Sequence, residues 1–225
     1  MSTSYRGAVR QLLRDRLLDA GRDQLSDRTW AQVTMAEIAT AAGVSRQTLY
    51  NEFGSRDEFV QALVIREGSR FLDAVELAID EHADDPLAAL TAALAQFLTI
   101  ARDDPFVRLL LADDGTAGML PLLTTQSRPI LDWASRRLIE AIDAHWPGVA
   151  AADVEALADT LVRLAISHVA APREAPADTA VSITRLLGPT IERMLCDARS
   201  RPLKGARSAS RRRLRLGARE RGRPV

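Results

Sequence analysis

Apolar residues recur at intervals of three and four along most of the chain, and alternating Val/Ile/Tyr-rich runs of the kind that form strands are absent. Residues 5–25 carry Val9, Leu12, Leu13, Leu17 and Ala20 at helical spacing and predict an amphipathic first helix. A short second helix follows from Met35, Ile38, Ala39 and Ala42, and a third runs from Ser45 through Tyr50. Residues 56–82 predict a long helix with Phe59, Leu63, Phe71, Val75 and Ile79 on its apolar face. Asp85-Pro86 and Asp104-Pro105 each read as a cap followed by a proline, opening helices of about 86–102 and 105–113. Beyond a loop at 113–118, a helical stretch of about 119–145 is expected, kinked or subdivided by Pro121 and Pro129 and stopped by Pro147-Gly148. Two last helices, about 152–171 and 177–198, show Val154, Leu157, Leu161, Leu164 and Ala165, then Val181, Ile183, Leu186, Leu187, Ile191 and Leu195. The pattern predicts an all-α protein.

The junction of the second and third helices carries the strongest local signals. Thr34 can cap the second helix through its hydroxyl, and Glu37 three residues later completes a capping box. Gly43 stands where a helix end needs a left-handed backbone, Val44 can turn back into the core, and Ser45 can cap the next helix. Two short helices across a tight glycine turn make a helix-turn-helix, whose second helix fits the major groove of DNA. Gly54 then breaks the chain and Ser55 restarts it, with Glu58 three residues on.

On the third helix the faces divide. Val44, Leu49 and Phe53 are the apolar set that would seat it, leaving Arg46, Gln47, Thr48, Tyr50 and Asn51 outside. Arg forks onto guanine, Gln and Asn onto adenine, and hydroxyls bond phosphates. A merely solvated polar face would account for any one of these residues, but it fits the whole set poorly.

The run Ala42-Gly43-Val44-Ser45, Thr48-Leu49-Tyr50, Phe53, Ser55-Arg56-Asp57 and Phe59 resembles the DNA-binding domain of TetR-type regulators, across about residues 8–65. Glu52 departs from the His that many members carry. Arg56 stands where Lys is commoner and keeps the charge. The resemblance implies an N-terminal three-helix helix-turn-helix domain (1–55) and a C-terminal helical effector-binding and dimerisation domain (56–198). It implies double-stranded operator DNA as partner, with Arg46, Gln47 and Asn51 toward base edges. Thr34, Ser45, Thr48, Tyr50 and Arg56 would face phosphates. Arg6 and Arg10 fall either near the DNA backbone or on ordinary surface. The last two helices would pair with their twins in a homodimer, or face the monomer's own core. A two-fold dimer sets its half-sites ~34 Å apart.

Composition alters the picture in one respect. Of 225 residues 47% are hydrophobic and 4% aromatic, which suits packed helices, and the formal net charge is zero. That balance hides a division. From Arg199 onward eleven of the thirty basic residues stand against Glu220 alone, so residues 1–198 hold nineteen basic and twenty-nine acidic side chains. Residues 199–225 are expected to be a disordered, Arg-rich tail that adds salt-sensitive DNA affinity, meets RNA or the acidic body, or has no important role. Cys196 is the only cysteine, so no intrachain disulfide is possible and a reducing compartment is the simple assumption. No charged-then-apolar leader and no apolar run near the ~20 residues of a membrane span is present. A soluble, cytoplasmic, nucleoid-associated protein without membrane contact is expected.

Catalytic chemistry has little support. His82, His145 and His168 are scattered, and neither a nucleophile motif nor a phosphate-binding glycine loop occurs. No enzyme, metal or cofactor is expected. What remains is a pocket between helices for a small hydrophobic effector, with Phe71, Phe97, Phe106, Leu110, Met119 and Trp133 as candidate lining. Arg102, Arg108, Gln126 and Arg128 are candidate polar anchors. The effector would favour a conformer whose reading heads are wrongly spaced, so a homodimeric repressor would leave its palindromic operator by linkage. Two other classes fit parts of the chain: a non-specific nucleic-acid-binding protein acting through its tail, and a helical small-ligand or protein-interaction module.

Overall fold

The structure is a computed structural model that describes residues 2–26, 28–111 and 127–200. The expected loop at 113–118, Met119, Pro121, Gln126 and the basic segment beyond Ser200 lie outside the described residues. Within them the chain is helical. Helix α1 (Ser2–Gln24) leads through a 3₁₀ turn, Trp30–Gln32, to α2 (Met35–Ala41) and α3 (Arg46–Phe53). Then come α4 (Arg56–Asp80), α5 (Pro86–Asp103) and α6 (Pro105–Leu111). The last three are α7 (Arg128–His145), α8 (Ala151–Ala170) and α9 (Pro176–Ser200).

Most boundaries follow from end chemistry. Asp85 accepts hydrogen bonds from the Leu87 and Ala88 amides, and Asp104 from those of Phe106 and Val107. Each satisfies donors that a helix start leaves orphaned. Pro129 does not kink a helix interior. It lies in the first turn of α7, where a missing N–H costs no intrahelical bond. Helix α3 runs past Tyr50 to Phe53 and stops at Gly54, whose φ of +81° takes the chain out of the helix. Pro189 lies inside α9, which continues to Ser200.

The N-terminal unit closes around Leu17, Val33, Ile38, Leu49, Phe59 and Leu63, all essentially without solvent exposure. Phe59 and Leu63 come from the first turns of α4. This 25-residue helix, ~37 Å long at 1.5 Å per residue, carries its later positions Phe71, Val75 and Ile79 into the second core. There α4 packs on α5 and α7, α9 lies along α5, and α7 packs on α8. Phe106 and Leu110 of α6 and Ile130 of α7 belong to the same apolar cluster as the N-terminal unit. The two units are therefore joined by shared core as well as by α4.

Candidate DNA-reading face and effector cavity

Helix α2 begins at the expected capping box. The Glu37 amide donates to Thr34 Oγ1 (3.2 Å), and the Thr34 amide donates to Glu37 Oε2 (2.8 Å). The Thr34 hydroxyl, then its backbone amide, hold the Glu37 carboxyl below the usual carboxylate range. Gly43 turns the corner at φ +70°, and Val44 packs partly buried against the N-terminal core. Ser45 caps α3 by accepting from the Thr48 amide (3.0 Å), with the two hydroxyls 2.9 Å apart.

Leu49 and Phe53 anchor α3 inside, and the opposite face is open. Arg46, Gln47 and Asn51 are exposed there, with Thr48 and Tyr50 half-buried beside them. Gln47 Nε2 donates to Asn51 Oδ1 (2.8 Å), and the Arg46 guanidinium lies 5.3 Å from the Tyr50 ring centre. The side chains a groove reader needs are thus gathered on one helix face and steadied by one another one turn apart. Arg56 has a different neighbour. Its guanidinium stacks 4.2 Å over the Trp30 ring and donates to the Trp30 carbonyl, while Trp30 lies parallel to Phe59.

Glu52, the departure from the family pattern, is 9% exposed and joins α3 to α1. Arg10 Nε donates to it at 2.8 Å and Arg14 approaches at 3.4 Å, with the Arg14 guanidinium 4.3 Å over Phe53. Arg10 therefore bears on the pose of the reading helix.

In the second unit α4, α5, α6, α7 and α8 enclose a cavity of about 150 Å³. Five of the six candidate lining residues, Phe71, Phe97, Phe106, Leu110 and Trp133, come together on its wall; Met119 lies outside the described residues. The lining is apolar except for Glu67, Glu76 and Arg137. Burial opposes the charge on Arg137, but the hydrogen bonds it donates to Glu76 (2.6 Å) and Asp73 (3.0 Å) outweigh that and raise its pKa. Of the candidate anchors, Arg128 is exposed and pairs with Asp132, while Arg102 and Arg108 line an adjoining cleft.

Glu67 was not among the expected site residues, yet it is the charged group at the centre. It is 6% exposed, lines the cavity, and is bound by Arg22 of α1 and by Arg66 (2.9 Å), with Arg70 3.9 Å away. Its signal is in the pattern: Phe59, Leu63, Glu67, Phe71, Val75 and Ile79 form one i, i+4 stripe with a single carboxylate inside it. Gly68 is a second omission. A Cβ there would stand 3.2 Å from the Trp133 ring, so the bare backbone lets α7 approach α4 at the cavity wall. The histidines are dispersed: His82 and His145 bond carbonyls one turn back, and His145 meets Asp80 at 2.8 Å.

A capped helix-turn-helix presenting Arg, Gln and Asn on an open face, fused to a helical domain with an apolar cavity, defines a DNA-binding transcriptional regulator. Residues 17–63 match bacterial regulatory proteins of the tetR family, and residues 85–189 match the bacterial tetracyclin repressor C-terminal domain. The HTH-type transcriptional regulator AlkX of Mycobacterium tuberculosis is 39% identical over 189 residues, 84% of this chain and 90% of that one. The chain belongs to the TetR family of transcriptional regulators. Among solved structures, the TetR family repressor AlkX from a Dietzia strain, implicated in biodegradation of n-alkanes, superposes with a TM-score of 0.69 at 31% identity. The match covers 81% of this chain and 96% of that one. RolR in complex with resorcinol shares the fold, with a TM-score of 0.55 at 20% identity over 88% of this chain and 97% of its own. Among the described residues no helix is long and apolar enough to cross a membrane.

Proposed function

We propose that this regulator is a homodimeric repressor that holds a palindromic operator until a small apolar effector enters the cavity. The observation that carries this reading is the shared wall. Phe106, Leu110 and Ile130 line the cavity and also belong to the core of the DNA-binding unit, while Glu67 lines the cavity and is tied to α1 through Arg22. An occupant that shifts α6 or Glu67 therefore acts on the seat of the reading helix, with no intervening linker to absorb the change. The AlkX repressor linked to n-alkane breakdown supports an aliphatic effector, as does a lining with three charged side chains, all engaged in ion pairs.

In this account Arg46, Gln47 and Asn51 read bases, and Thr34, Ser45, Thr48 and Tyr50 meet phosphates at the two helix N-termini and beside α3. Arg56 contributes by fixing Trp30 beneath the turn. Val181 and Leu186, 56% and 72% exposed on α9, offer an apolar face for a twin helix, and the dimer forms through α8 and α9. The protein acts on DNA in the cytoplasm and needs neither catalysis nor a cofactor. The test is to titrate linear 1-alkanols into the complex of the protein with its operator. Release that follows occupancy of the cavity supports the reading. An alkanol that binds the protein while the complex persists contradicts it.

A further inference from the structure

Helix α3 carries its polar side chains in columns spaced four residues apart. Gln47 and Asn51 form the middle column on the open face. Arg46 and Tyr50 run along one flank, and Thr48 and Glu52 run along the other. The Thr48 flank is where α1 arrives. Arg6, Arg10 and Arg14 follow one another at the same four-residue interval, so they share one face of α1. Arg10 donates Nε to both oxygens of Glu52 (2.8 and 3.1 Å), and Arg14 reaches the same carboxylate at 3.4 Å. Like charges one turn apart repel, and a carboxylate set between two of them relieves that repulsion. Three guanidinium groups against one carboxylate still leave this corner of the N-terminal unit positive.

The manner of the Arg10 bond matters more than its presence. The Glu52 side chain is 9% exposed and that of Arg10 is 68% exposed, so the carboxylate lies inside and the guanidinium outside. Arg10 uses Nε, its inner nitrogen, and its two terminal nitrogens have no partner among the described residues. The outer edge of the guanidinium, which can fork onto phosphate oxygens, is left open. A helix about 10–12 Å across fills a major groove about 12 Å wide, so its flanks meet the phosphates at the groove edges. Arg10 is held at such a flank, one turn from Thr48, when Gln47 and Asn51 face the bases.

We propose that Glu52 is a positioning residue for DNA binding, which sets Arg10 so that its terminal nitrogens grip a phosphate beside Thr48. Glu52 itself touches no DNA. The proposal rests on the reading of α3 as the groove reader and adds how that helix is held in place. A phosphate contact carries no sequence information, but it fixes the register of the side chains that do. Because one carboxylate ties α1 to α3, the gripped phosphate sets the depth and rotation of the Gln47–Asn51 column. The sign of the effect separates this role from simple charge. A carboxylate near DNA repels phosphate, so removing its charge would strengthen binding if repulsion were all it contributed. Positioning predicts the opposite: binding weakens when Glu52 is neutralised.

The experiment titrates the full-length protein against duplex from upstream of its own gene and against random duplex, across a series of salt concentrations. Arg10→Gln should lower affinity for both by roughly fivefold per protomer near physiological salt, and reduce the slope of log affinity against log salt by about one per protomer. Glu52→Met should reproduce both changes, and adding Arg10→Gln to it should change little further. Glu52→Gln, which keeps one acceptor for Nε, should fall between wild type and Glu52→Met. Tm is followed alongside, because a pair that serves stability alone lowers Tm and leaves the slope where it was. Tighter binding by Glu52→Gln, an unchanged slope in Arg10→Gln, or losses that simply multiply in the double variant overturn the proposal. Should Glu52→Met fail to fold, Glu52→Gln and Arg10→Gln decide the question through the same slopes. Equal wild-type affinity for the two duplexes overturns the groove reader, and this proposal with it. Wild-type selectivity combined with any of the contrary results overturns the positioning role alone.

Discussion

The carboxylate of Glu67 on α4 is bound by the guanidinium of Arg22 on α1, and the same Glu67 side chain forms part of the cavity wall. Arg22 also lies 5.5 Å from the ring centre of Phe106, a second residue common to the cavity and the DNA-binding core. One ion pair thus spans the seam between the cavity and the first helix of the N-terminal unit.

Removing one partner leaves a buried charge uncompensated, which is costlier than never having had the pair. Glu67→Ala should destabilise the fold by on the order of 3 kcal/mol, discounted because Arg22 is 30% exposed. The more telling variant is Glu67→Gln, which keeps the shape and a hydrogen bond. It should leave operator affinity in the absence of effector nearly unchanged and reduce the effector's ability to lower it. Undiminished response in Glu67→Gln would remove this pair from the coupling.

Gln47 and Asn51 hold each other at 2.8 Å across one turn of α3. On DNA each can exchange that bond for an adenine edge. Gln47→Ala should relax preference at one base pair of each half-site by about 1–3 kcal/mol while non-specific affinity stays level. An unmoved specificity profile would exclude Gln47 as a reader.

Arg56 separates a positioning role from a phosphate contact. Arg56→Met should lower stability by about 1 kcal/mol through loss of its stacking on Trp30. The slope of log affinity against log salt should not change. A slope reduced by about one would show that Arg56 meets phosphate in the complex.

The reader's first helix should also loosen in acid. The Glu37 carboxyl is held below its usual range by Thr34, so the native state favours its ionised form. Its contribution is present above the ordinary carboxylate value and is lost as pH falls through the lowered one. The difference in Tm between wild type and Glu37→Gln seen at neutral pH should therefore shrink progressively as pH falls below the ordinary carboxylate range. A difference that persists unchanged below that range would mean the capping box does not titrate.

What was legible in the sequence was local. Thr34, Glu37, Gly43 and Ser45 specify their caps and turn within four residues of themselves, and the structure forms each one. The apolar stripe of α4 likewise placed Phe71 correctly, and the aromatic residues of α5, α6 and α7 meet it at the cavity. Contacts between distant segments were not legible. Arg10 and Arg14 reach Glu52 across about forty residues, and Arg56 reaches back to Trp30; such pairs depend on how helices cross. Glu67 interrupts an otherwise apolar stripe, and helical periodicity marks only the residues that fit it. Pro129 subdivides the expected 119–145 stretch rather than kinking it, since the same residue opens a helix or bends it according to where the helix begins.

The central claim is that α3 selects DNA sequence. Its most direct measurement is the affinity of the full chain for duplex from upstream of its own gene and for random duplex, in parallel at physiological salt. The account predicts a ratio of at least about 10³ in favour of the upstream duplex, lost on combined replacement of Arg46, Gln47 and Asn51 by alanine. Equal affinity for both duplexes would contradict it and leave non-specific charge as the source of binding.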